Sequence, residues 1–134
     1  MIWSATCELG TAYNWSSDLA AEVLKLLPPP LAHKVRCAYG EIIANAIQAS
    51  FKHKGRQLHL SWKLEDGWLT FTVINHGIAW EPTFVQRANM AFMPCEWDLR
   101  GRGLPIIYLH TDSIAWHRLN NATMTVAKWR CHVE

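Results

Sequence analysis

Between residues 57 and 73 the chain alternates. Leu58, Leu60, Trp62 and Leu64 are separated by polar residues, and after Glu65-Asp66-Gly67 the rhythm resumes at Leu69, Phe71 and Val73. A period of two puts every second side chain on one face, which predicts a half-buried strand over 57–64, a hairpin turn and a return strand. Upstream the period changes. Leu31, Val35, Ala38, Ile42, Ala46 and Ala49 recur at spacings of three and four, predicting a helix from about 31 to 53 with one buried stripe. Gly55 is a stop for it, and Lys52 and Lys54 suit its negative end.

An amphipathic helix is predicted over residues 16–27, SSDLAAEVLKLL, with Ser16 or Ser17 as cap and Asp18 in the first turn. Leu19, Val23, Leu26 and Leu27 share its apolar face, and Pro28-Pro29-Pro30 ends it. Residues 2–8 alternate weakly and read as an edge strand. Residues 75–103 have no clear period beyond a short helical piece at 83–91, the mark of a functional loop or lid. A helix follows from Leu104 to His110, then strands over about 113–119 and 122–132 joined at Asn120-Asn121. The order β, α, α, β, β, loop, α, β, β predicts an α+β two-layer sandwich, a mixed sheet with helices on one face. At 134 residues, 1–134 is one domain around one core.

Composition narrows the function classes. A formal charge of +2, with Lys and Arg scattered, argues against a nucleic-acid partner, and KHKGR at 52–56 reads as a solvated helix end. No apolar run is long enough to cross a membrane. Cys7, Cys37, Cys95 and Cys131 form no CxxC and no zinc-ligand spacing, and with no signal peptide they read as reduced thiols of a cytoplasmic protein. Eight Trp are many for this length, so some are expected in the core and others at a groove or partner surface.

Three short stretches carry candidate chemistry. In EIIAN, Glu41 and Asn45 are four apart and project from the same helix face: a carboxylate to accept a proton, and an amide oxygen to place on a hard cation such as magnesium. In VINHGIAWEP, a polar Asn75 at a strand end is followed by Gly77, which lets backbone approach a flat ligand closely. In LRGRGLPII, Gly101 and Gly103 precede a helix, where backbone N–H groups and Arg100 and Arg102 favour a phosphate. Each stretch also has a plain structural explanation: a polar helix flank, a turn, a glycine-rich connection.

Taken in order, these stretches resemble the ATP-binding domain of the GHKL group (gyrase, Hsp90, histidine kinase, MutL), the Bergerat fold, and more closely its small anti-sigma factor serine kinases. The family's E-x-x-x-N is matched by Glu41 and Asn45, its V-x-D-x-G-x-G-[aromatic]-x-P by V-I-N-H-G-I-A-W-E-P, and its G-R-G-L by Gly101, Arg102, Gly103 and Leu104. The resemblance implies ATP and magnesium as cofactors, with Asn45 as magnesium ligand and Glu41 as general base. It implies a phosphate cradle at Gly101–Gly103, a lid over 83–100, and Gly77 lying under the adenine. Ile74, Ile78 and Trp80 are candidates for lining the base pocket or for core packing.

Two positions depart from the pattern. The adenine-reading Asp is Asn75, whose amide oxygen can accept from the base but whose amine would repel it; the second loop Gly is Ala79. A neutral acceptor in place of a charged one costs about 1–2 kcal/mol, so weakened ATP binding is expected and Asn75→Asp is expected to tighten it. The implied partner is a regulatory protein, an antagonist carrying the acceptor serine or a sigma factor, and a homodimer is implied by the same resemblance. The alternative is a degenerate, non-catalytic partner-binding module on this fold. A histidine kinase catalytic domain fits less well, for want of a dimerising helix pair with a phospho-accepting histidine.

Overall fold

The computed structural model describes residues 1–8, 12–52, 57–76, 103–120 and 122–131. Along the chain these form β1 (Ile2–Glu8), α1 (Ala12–Leu24), α2 (Pro29–Lys52), β2 (Gln57–Glu65), β3 (Trp68–His76), α3 (Gly103–Leu109), β4 (Ser113–Leu119) and β5 (Ala122–Arg130). The strands make one five-stranded sheet in the order β1-β2-β3-β5-β4. This is the expected two-layer α+β sandwich, with one correction. The sheet was expected to be mixed, yet every pairing among the described residues is antiparallel. The reason lies in the last hairpin: β5 takes the place beside β3, and β4, which runs parallel to β3, is left at the edge.

Local chemistry explains the element ends. Asp66 and Gly67 have φ of 54° and 78°, so the β2–β3 hairpin turns through two left-handed residues with Glu65 paired to Trp68. Two positive φ values make a turn whose twist matches the flanking strands, and Asp-Gly supplies them at least cost. The chain after β5 is tied to this turn by Cys131 N–H donating to the Gly67 carbonyl at 2.7 Å. At the end of α1 the bonds tighten to the i−3 pattern, with Leu26 N to Val23 O at 3.0 Å and Leu27 N to Leu24 O at 3.1 Å. α1 begins before the expected Ser16 because Ser at 16 and 17 is tolerated inside a helix whose apolar face is already set. Pro29 and Pro30 open α2 rather than only ending α1, the first-turn position where a missing N–H is harmless; the Pro28 carbonyl accepts from Ala32 N at 2.9 Å.

The core lies between one sheet face and the helices. Trp62, Phe71 and Trp129 are each about 1% exposed. Trp62 stacks on Phe71 at 4.4 Å and on Trp129 at 6.2 Å between ring centroids, and Tyr39 of α2 meets the first two edge-on. Ala20 and Val23 of α1, Val35, Ala38, Ile42, Ile43 and Ala46 of α2, and Ile107 of α3 close over them. Thus two Trp are core anchors, while Trp68 lies on the opposite sheet face with the Arg130 guanidinium 5.0 Å from its ring centroid.

Candidate functional site

The stripe that buries α2 also positions its polar pair. Val35, Ala38, Ile42 and Ala46 are buried, and Glu41 and Asn45, one turn apart, sit half-buried beside them. Asn45 Nδ2 is buried without a hydrogen-bond acceptor among the described residues. Such a donor costs about 1–3 kcal/mol, so structure alone does not explain an amide here.

Three contacts give the direction in which α2 crosses the sheet. His33, near its start, faces His110 at the end of α3, with ring centroids 6.4 Å apart. The His110 carbonyl accepts from Trp129 Nε1, and Trp129 pairs with Leu69 at the start of β3. One to two turns on, Tyr39 meets Phe71. α2 therefore advances from the Leu69 end of β3 toward its Asn75 end, carrying Glu41 and then Asn45 that way.

At that end the inward face of the sheet stops being apolar. Leu69, Phe71 and Val73 are buried along β3, and the next inward position is Asn75, 1% exposed. On β5 the residues paired with Val73 and Asn75 are Thr125 and Thr123, each 4% exposed. These three are the buried polar side chains among the described residues, and they form one patch under the helices. Asn75 Nδ2 donates to the His76 carbonyl at 2.9 Å, which orients the amide.

Thr123 and Thr125 were not singled out in the sequence. Their signal was there: alternation over 122–130 puts them on the face that continues as Ala127 and Trp129. Thr is also an ordinary strand residue, so the pattern did not separate a site from a propensity. Ile74, a candidate for the base pocket, is corrected by the same alternation. With Asn75 inward, Ile74 points to the other face and lines a groove of 380 Å³ with Ser4, Thr6, His59, Ser61 and Thr72. That groove is separated from Glu41 and Asn45 by the sheet itself.

Gly103 and Leu104 open α3, which packs along α2. Since the C-terminal end of α3 is tied to Trp129 through His110, its glycine end is the one further from that tie. Gly77, Ala79, Gly101 and Arg102, and with them Ile78, Trp80, the helical piece at 83–91 and the lid at 83–100, lie outside the described residues.

A helix bearing Glu41 and Asn45 above an antiparallel sheet, with a polar patch at its far end, is the frame of a nucleotide-binding two-layer sandwich. The match to a family model agrees: the histidine kinase-like ATPase domain matches residues 4–129, and the chain belongs to that family. Membership makes this an ATP-binding domain of the GHKL type with a regulatory function. A search of curated proteins returns no match. Among the described residues, no helix is long and apolar enough to cross a membrane.

Proposed function

We propose that this chain is a small regulatory ATP-binding protein acting as an anti-sigma-factor-like serine kinase on a partner antagonist protein. The observation that carries it is the buried polar patch of Asn75, Thr123 and Thr125 at the end of the sheet toward which Glu41 and Asn45 advance. A buried polar patch in an otherwise apolar layer supports a place where a ligand's polar groups are read.

In this reading Glu41 is the general base: its carboxylate takes the proton of the attacking serine hydroxyl as that oxygen bonds to the terminal phosphorus of ATP, whose bond to the β,γ-bridging oxygen breaks so that ADP leaves. Asn45 fits a magnesium ligand through its amide oxygen, a hard donor half-buried one turn from Glu41 on the same helix. When bound, magnesium spreads the charge on the phosphates. Gly101, Arg102 and Gly103 cradle those phosphates, and Asn75 reads the base. Asn75 and Ala79 weaken ATP binding relative to an Asp and a Gly. The partner is a regulatory protein, the chain works as a homodimer, and Cys7, Cys37 and Cys131, which form no disulfide among the described residues, suit a cytoplasmic setting.

The neutral Asn75, with its amine engaged by its own backbone, favours a second reading: a non-catalytic module that keeps the fold and binds a partner. Calorimetry with MgATP and MgADP separates the two. Saturable binding at about 1 mM or tighter, lost as magnesium dependence in Asn45→Ala, supports the kinase. No binding up to several millimolar refutes it in favour of the module. If ATP binds, Glu41→Gln should bind it and fail to turn it over.

A further inference from the structure

Away from Glu41 and Asn45, the start of α2 and the end of α3 bring one sulfur and two imidazoles together. His33 and Cys37 are one turn apart on α2, and the Cys37 sulfur lies 3.7 Å from His33 Nε2. His110 faces His33 with ring centroids 6.4 Å apart and planes at 78°. His110 Nδ1 lies 2.8 Å from the Ile106 carbonyl, which can only accept, so Nδ1 carries the proton and Nε2 keeps its lone pair. A backbone carbonyl that fixes the tautomer in this way is the usual support of a metal-bound imidazole. By contrast, the buried thiols of Cys7 and Cys131 are directed at the carbonyl oxygens of Leu58 and Trp129. We propose that His33, Cys37 and His110 form a zinc site that clasps the start of α2 to the end of α3.

The distances say which ion fits. Zinc bonds of about 2.3 Å to sulfur and about 2.0–2.1 Å to nitrogen put two such donors about 3.5 Å apart at a tetrahedral angle. The 3.7 Å between Cys37 Sγ and His33 Nε2 is close to that bite. Two imidazoles on one tetrahedral zinc have centroids about 5 Å apart, so the histidines close by about 1 Å. As the side chains stand, no three donors among the described residues enclose an ion. The closing motion falls to His33, whose exposed ring turns at the helix surface. On binding, the Cys37 S–H bond breaks, its electron pair goes to zinc and the proton leaves to water. Both imidazoles bind neutral through nitrogen lone pairs, and water takes the fourth position. Magnesium prefers hard oxygen donors, so this clasp and Asn45 select different ions. Spacing along the chain conceals the site, because His110 meets the His33–Cys37 pair only through the packing of α3 on α2.

Metal-free, reduced protein is titrated with Zn2+, and with Co2+ as a spectroscopic stand-in, without nucleotide. The wild type binds about one equivalent of zinc with a Kd of about 1 μM or tighter, and its melting midpoint rises. Cobalt gives a thiolate-to-metal charge-transfer band. Cys37→Ser abolishes the band and weakens zinc about tenfold or more, and His110→Ala weakens it by a similar factor. His33→Ala, on an exposed helix surface, serves if His110→Ala does not fold. Absence of the band, or zinc affinity unchanged in Cys37→Ser, overturns the proposal and leaves adventitious binding by other side chains. Full affinity in both histidine variants overturns the three-donor clasp. With no nucleotide present, the outcome is independent of the ATP-binding reading.

Discussion

Asn45→Ala should raise stability and remove function, and the two signs can be read in one experiment. Asn45 Nδ2 is buried without an acceptor among the described residues, and removing such a donor returns about 1–3 kcal/mol. Ala in a helix interior adds about 0.5 kcal/mol over Asn. Against this, the side chain is only half-buried, and its lost packing costs about 1 kcal/mol. The net is a gain of about 0.5–2.5 kcal/mol, or about 2–9 °C in midpoint for a chain of this size. Differential scanning fluorimetry without ligand should therefore show the variant melting above wild type. With saturating MgATP the order should reverse, because a ligand that binds only the native state adds RT ln(1 + [L]/Kd) to the wild type and little to the variant. A ligand-free variant destabilised by more than about 1 kcal/mol would show that the amide has a structural partner, and the reasoning fails. An unchanged response to MgATP would remove Asn45 from the site.

Three other outcomes follow. Thr123→Val, nearly the same shape, should weaken MgATP binding by about 0.5–1.5 kcal/mol in calorimetry, and unchanged affinity would take Thr123 out of the base end of the pocket. Gly67→Ala should cost about 1–2 kcal/mol in urea unfolding, since φ is 78° while the added Cβ meets nothing nearer than the Cys131 carbonyl at 3.6 Å; a neutral result would mean the turn relaxes to another type. Burial pushes the Cys131 thiol above its ordinary value, so its folded form holds a proton that the unfolded chain releases at about pH 8.5. The stability this gives is complete below that pH and lost as pH rises through the folded value. Unfolding midpoints from pH 7 to 10 should fall less steeply in Cys131→Val, and parallel curves would refute the assignment.

Much of the scaffold was legible because period and turn chemistry agree. The inward set of β2 and β3, the Asp-Gly turn and the stripe of α2 follow from residue spacing and two left-handed positions. Spacing also placed Glu41 and Asn45 beside that stripe. What it could not supply was pairing between strands distant in sequence. Whether β4 or β5 lies against β3 is decided by how the last hairpin docks, and only that choice sets Thr123 opposite Asn75. The polarity of Asn75 was hidden for another reason: the His76 carbonyl that holds it belongs to the backbone, which has no letter in a sequence.

The placement of β5 bears on how the protein is made. β1, α1, α2, β2 and β3 leave the ribosome before the strand that sets Thr123 opposite Asn75, and the Cys131-to-Gly67 bond joins a late residue to an early turn. Until β5 inserts, β3 is an open edge, and inserting a non-local strand is a slow, aggregation-exposed step. A fragment truncated after α3 would carry Glu41, Asn45 and Asn75 without the polar patch that Thr123 and Thr125 complete.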